Sequence, residues 1–77
     1  AGIQTGDILV VDRSLEPVNG KVVIAVLNGE FTVKRLKITA DGVYLMPENP
    51  RYQAIKVSEE SECSIWGVVS YVIHKAV

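Results

Sequence analysis

The sequence is poor in the residue types that build most small-molecule and metal sites. Its 77 residues include one cysteine and one histidine. A single cysteine, Cys63, excludes an internal disulfide and is typical of a reducing compartment. Cys63 and His74 do not stand at the ligand spacing of a zinc site. There is no phosphate-binding glycine pattern and no Gly-x-Ser-x-Gly elbow. We therefore expect no metal and no cofactor.

Charge of one sign and long apolar runs are also lacking. The net charge is −1, which gives the domain no general electrostatic reason to bind nucleic acid. The longest apolar run covers residues 22–27, far short of the ~20 residues that a membrane span needs. No signal-peptide pattern is present. We expect a cytoplasmic protein with no membrane partner and no direct contact between this domain and nucleic acid.

The hydrophobic content of 48% is enough for one small domain covering residues 1–77. The pattern predicts an all-β fold, because short apolar or alternating runs recur between turn signals and none keeps a helical period. The predicted strands are 8–11, 21–27, 30–38, 43–46, 55–57 and 64–73. Three Asn-Gly or Asp-Gly pairs favour a small antiparallel meander, which would form a partly open, barrel-like sheet. We expect a bulge at Gly67 in the last strand.

Lys34 is the most informative candidate site residue. It lies just past the Asn-Gly turn, and strand alternation places it in line with Thr32, Leu36 and Ile38. A lysine on such a face either extends its stem along apolar neighbours or loses its proton easily enough to act as a base. The pattern alone leaves both interpretations open. Arg35 and Lys37 fall on the other face, as in an ordinary solvated strand.

Other candidates have weaker support. Asp7 and Asp12 flank one strand and are expected on opposite faces, which does not favour a metal site. His74 has no evident acidic partner and is interpreted as a surface or interface histidine. Cys63 has no evident histidine partner and is interpreted as a small buried residue.

Four motifs in order suggest a family. Residues 2–9 (Gly-Ile-Gln-Thr-Gly-Asp-Ile-Leu) look like the segment that follows a Ser-Met nucleophile motif, and residues 30–36 (Glu-Phe-Thr-Val-Lys-Arg-Leu) look like a lysine motif. Residues 45–52 look like a Leu-x-Pro-x-Asn-x-x-Tyr turn, and residues 66–69 (Trp-Gly-Val-Val) look like a last strand. The chain thus resembles the LexA/UmuD family of self-cleaving serine peptidases. It is most similar to the C-terminal domain of the UmuD type.

The resemblance implies a Ser-Lys dyad in which Lys34 is the general base. The serine is expected a short distance upstream of Ala1. None of the serines present matches the nucleophile, so the given chain is expected to be inactive. These serines are Ser14, Ser58, Ser61, Ser64 and Ser70.

The resemblance also implies partners. A UmuD-like protein of the SOS response would cleave itself on a RecA filament, and its processed form would join a translesion DNA polymerase in mutagenic DNA repair. The alternative is the self-cleavage and dimerisation domain of a LexA-like repressor, and a third reading is a non-catalytic dimerisation module. We expect a homodimer. We expect the last strand to contribute from a sheet edge, with Val69, Tyr71 and Ile73 on one face and Val68 and Val72 on the other.

Overall fold

The fold is all-β, as predicted. The computed structural model describes residues 3–49, 51–58 and 60–76, and within these ranges it contains strands but no helix. No helix there could therefore cross a membrane. The six strands are β1 (Ile8–Asp12), β2 (Val22–Leu27), β3 (Glu30–Thr39), β4 (Gly42–Met46), β5 (Ile55–Val57) and β6 (Cys63–Ile73). Each corresponds to a predicted strand, with boundaries that differ by at most one residue.

The predicted hairpin between β2 and β3 is confirmed. Leu27 pairs with Glu30, so the turn consists of two residues. Asn28 has φ 50° and Gly29 has φ 82°, the left-handed values that a tight hairpin turn with the right twist requires. This turn fixes the register of β3 against β2, and therefore the face on which Lys34 lies.

The strand order shows that the meander prediction was only partly right. The order is β1-β6-β2-β3-β4-β5, so consecutive strands pair only from β2 to β5. β6 inserts between β1 and β2, and the Asn19-Gly20 turn therefore joins strands that are not neighbours. Turn residues indicate where the chain reverses, but they do not show which strands pair. β2 is apolar on both faces and pairs with β3 on one side and with β6 on the other.

β6 is consequently an interior strand, and the expectation that it forms a sheet edge was wrong. The edges are β1 and β5. β6 also carries two register shifts, one against β1 near Ser70 and one against β2 near Trp66. The second confirms the bulge predicted at Gly67. The register shift near Ser70 corrects the predicted faces. Its extra residue places Tyr71 on the same face as Val68 and not on the face of Val69.

The core lies on one face of the sheet. Val23 pairs with both Val68 and Lys34, and Leu36 pairs with Leu45, so these side chains share a face. Partly buried side chains from β4, β5 and β6 pack against this cluster. β1 and β5 do not pair, and the barrel-like sheet stays open as expected. The buried residues are Val23, Ala25, Leu36, Leu45 and Val68.

Candidate functional site

Lys34 lies on β3 on the same face as the core. It is half-buried and stands directly opposite Val23, which is fully buried on β2. Two residues further along the same face, Leu36 is 1% exposed. Strand alternation thus places the stem of Lys34 beside apolar side chains.

Lys34 has no acidic partner in the part of the chain that the structure describes. The ion pairs there join Arg35 to Glu48 and His74 to Asp7. The role of Lys34 as a general base stays a prediction.

The N-terminal segment approaches β3 from its other face. Ile3 lines a cavity together with Val22, Arg35 and Val69. Arg35 follows Lys34 and points to the opposite face, where its guanidinium donates to the carbonyl oxygen of Gly20 at 2.6 Å. We expect Lys34 to lie near Ala1, which falls outside the described residues, so this stays a prediction.

Several serine hydroxyls have structural partners. The Ser14 hydroxyl donates to Oδ1 of Asp12 at 2.6 Å, and the Ser70 hydroxyl donates to the carbonyl of Val10 at 3.1 Å. The hydroxyl of Ser14, and then its backbone N–H, lower the pKa of the Asp12 carboxyl. Asp12 therefore closes a turn after β1. Among the described residues, neither serine has a basic side chain as a hydrogen-bond partner.

Cys63 is half-buried and packs against the core, as predicted. Burial raises the pKa of its thiol, because the thiolate would lose solvation. A nucleophilic cysteine needs the opposite shift. Cys63 is therefore a packing residue.

His74 has an acidic partner that the sequence did not reveal, and its side chain is 56% exposed, as expected of a surface histidine. Its Nδ1 lies 2.8 Å from Oδ2 of Asp7. The two residues flank the pair Ile8 and Ile73, where β1 begins and β6 ends. They are brought together by long-range strand pairing, which leaves no local signal in the sequence. Among the described residues, no group of three His, Cys, Asp or Glu side chains is arranged to hold a metal ion.

A second group that the sequence did not reveal surrounds Trp66. The rings of Phe31 and Trp66 meet edge to face, with their centroids 5.5 Å apart. The Arg13 guanidinium lies 4.4 Å from the Trp66 ring centroid, and its Nε donates to the Trp66 carbonyl at 2.9 Å. These contacts join three segments that are distant in sequence and fix the loop after β1 to β6.

Comparison with known proteins agrees with the motif order. A family model described as Peptidase S24-like matches residues 1–70. A LexA repressor of Delftia acidovorans is 45% identical over 76 residues, which are 99% of this chain and 34% of that protein. Protein SamA of Salmonella typhimurium is 43% identical over 74 residues, or 96% of this chain and 50% of SamA. Protein ImpA of Salmonella typhimurium is 43% identical over 76 residues, or 97% of this chain and 50% of ImpA. The chain spans about a third to a half of the length of these curated relatives.

Proposed function

The chain belongs to the Peptidase S24-like family, the LexA/UmuD family of self-cleaving serine peptidases, and on this basis we propose that the full-length protein cleaves itself with a Ser-Lys dyad. The neutral amine of Lys34 takes the proton of a serine upstream of Ala1. The serine oxygen then attacks the carbonyl carbon of the scissile peptide bond. The resulting ammonium returns its proton to the leaving amine, and water hydrolyses the acyl-enzyme.

One observation carries the assignment of Lys34. Its side chain leaves β3 on the core face, opposite the fully buried Val23, and has no carboxylate partner among the described residues. Under the proposal, the given chain alone is inactive, because the serine and the backbone N–H that would stabilise the oxyanion lie upstream.

For the biological role, we favour a UmuD-like protein of the SOS response. Self-cleavage would be stimulated by a RecA filament in the cytoplasm, and the processed homodimer would join a translesion DNA polymerase. The run Gly-Glu-Phe-Thr-Val-Lys at residues 29–34 supports this type. SamA and ImpA also support it, because alignments of similar length, 74 to 76 residues, cover half of each of them but only a third of the LexA repressor. They are therefore shorter and leave less room for an upstream domain.

A LexA-like repressor is the second candidate, and the 45% identity to a LexA repressor favours it. In that case cleavage would separate a DNA-binding domain from a dimerising one. A gel-shift assay with duplex DNA from the promoter of the protein's own gene distinguishes the two. Binding that is lost on self-cleavage supports the repressor, whereas no binding together with co-purification of a Y-family polymerase supports the UmuD type.

The dyad is tested with the full-length gene product and a RecA filament on single-stranded DNA. Lys34→Arg keeps the positive charge and the long stem, but its guanidinium does not lose its proton. We expect this variant to cleave itself at least ~100-fold more slowly, since general-base catalysis contributes about 10²–10⁴-fold. Lys37→Arg on the same strand is the matched control and should cleave normally. Cleavage of Lys34→Arg at the wild-type rate would refute the dyad.

A further inference from the structure

The two Asn-Gly pairs of the chain differ in their hydrogen bonds. In the first pair, Oδ1 of Asn19 accepts a hydrogen bond from the Ile38 N–H at 2.8 Å. The Gly20 N–H donates to the Leu36 carbonyl oxygen at 2.8 Å. The Gly20 carbonyl oxygen also accepts from the Arg35 guanidinium at 2.6 Å. The side chain of Asn19 and both backbone polar groups of Gly20 are therefore bound to β3.

The second pair, Asn28-Gly29, has neither of these restraints. Both residues are exposed in the two-residue turn between β2 and β3. Among the residues that the structure describes, the Asn28 carboxamide and the Gly29 N–H have no hydrogen-bond partner. What holds Asn28 is its backbone N–H, which donates to the Glu62 carbonyl oxygen at 2.9 Å. The side-chain amide and the glycine nitrogen, which are bound in the first pair, are thus unbound in the second.

These two groups are the ones that react when an asparagine loses its side-chain amide. The backbone nitrogen of the next residue attacks the side-chain carbon Cγ, the bond from Cγ to Nδ2 breaks, and ammonia leaves with the proton of the attacking N–H. Water then opens the five-membered succinimide at one of its two carbonyl carbons, which gives aspartate or isoaspartate. A following glycine favours the attack because it has no side chain to hinder it. The third asparagine, Asn49, precedes Pro50, which has no N–H.

We propose that Asn28-Gly29 is a modification site, at which the folded protein converts asparagine to aspartate and isoaspartate while Asn19-Gly20 is protected. The reaction needs the Asn28 side chain to move towards the Gly29 nitrogen, and this movement breaks no side-chain hydrogen bond. At the Asn19-Gly20 pair, the same movement must first break hydrogen bonds to β3. Local opening must precede the reaction there, so the fold decides which Asn-Gly pair reacts.

The isoaspartate product would change the position of β3. Its main chain runs through the side-chain carbon, so one extra backbone atom enters the two-residue turn that pairs Leu27 with Glu30. That turn has φ 50° at Asn28 and sets the register of β3, and a longer backbone does not fit its geometry. Aspartate, in contrast, suits this turn type. Under the proposed function, on which this step rests, isoaspartate would slow self-cleavage by displacing Lys34, whereas aspartate would not.

The selectivity is tested by incubating the full-length protein at mildly alkaline pH and digesting samples with trypsin. Trypsin places the two pairs in separate peptides, residues 14–21 and 22–34. Mass spectrometry measures the exchange of the amide NH₂ for OH in each peptide, and an isoaspartyl methyltransferase detects isoaspartate. We expect Asn28 to react at least ~10-fold faster than Asn19, an order-of-magnitude expectation for a site whose opening must break two hydrogen bonds.

Urea and a matched variant provide the controls. In urea the two pairs should react at similar rates, because both asparagines precede glycine and neither is held by the fold. Asn28→Gly suits the same turn and has no amide to lose, so its self-cleavage with a RecA filament should survive an incubation that inactivates the wild type.

Three results would contradict parts of this account. Equal rates at both pairs in the folded protein, or a difference that persists in urea, would overturn the modification site. Full cleavage by protein that contains isoaspartate at residue 28 would overturn its effect on Lys34. Absence of cleavage by fresh protein would instead overturn the proposed function, while the peptide rates would still decide the modification site.

Discussion

Val11 occupies the space that a Cβ atom on residue 67 would need. Its Cγ1 lies 2.5 Å from the position that a Cβ on Gly67 would take, and Cγ of Arg13 lies 3.4 Å from the same point. β1 can therefore approach β6 this closely only because residue 67 is glycine. The same approach brings Arg13 over the Trp66 ring at the second bulge of β6.

Gly67→Ala is expected to destabilise the domain, because the new methyl group would force Val11 and the β1 backbone to move. Overpacking of this kind typically costs about 1–3 kcal/mol. Urea unfolding monitored by the fluorescence of Trp66, the single tryptophan, measures the loss. Ser64→Ala, at an exposed position of the same strand, is the control and should change stability by less than ~0.5 kcal/mol. Equal stability of the two variants would show that β1 can shift without cost.

The rate of self-cleavage by the full-length protein is expected to rise with pH. The reactive species in the proposed dyad is the neutral amine of Lys34, and the neutral fraction of an amine increases as the pH rises. The measurement is the first-order rate of fragment appearance on gels from pH 6 to pH 10. A rate that falls over the alkaline range would contradict a lysine general base.

Dimerisation is expected to involve the β1–β6 end of the sheet, although β6 itself is interior. Ile8, Tyr71 and Ile73 share one face there and are 61%, 70% and 51% exposed, and β1 is an open edge. An apolar face next to an unpaired edge favours association with a second copy.

Tyr71→Asp should therefore shift the dimer towards monomer, because it places a charge within that face. Tyr52→Asp is the matched control, since Tyr52 is 69% exposed but lies in the loop between β4 and β5. Sedimentation velocity at micromolar concentration separates the two outcomes. A wild-type monomer, or equal effects of both substitutions, would exclude this interface.

The Cys63 thiol is expected to react slowly with iodoacetamide in the folded protein. Burial raises its pKa, so the reactive thiolate is scarcer at neutral pH than for a free cysteine. The rate should increase as the pH rises and should reach that of a free thiol when urea unfolds the chain. A folded-state rate equal to that of free cysteine at pH 7.5 would show that the thiol is not shielded.

The sequence by itself determined the strands, the β2–β3 hairpin and the face of Lys34. These depend on local chemistry: Asn28 and Gly29 adopt the left-handed turn, and alternation then places Lys34 with Leu36 on the core face. Family membership also followed from short motifs in a fixed order, and the match to residues 1–70 agrees with it.

Only the tertiary structure decided what depends on β6. Its insertion between β1 and β2 depends on long-range pairing that no turn signal encodes, and its bulge near Ser70 places Tyr71 on the face of Val68. The Asp7–His74 pair and the contacts of Trp66 follow from that insertion. Burial across the whole sheet selects which distant strands pair. The sequence pattern identifies each strand but does not show which strands pair with each other.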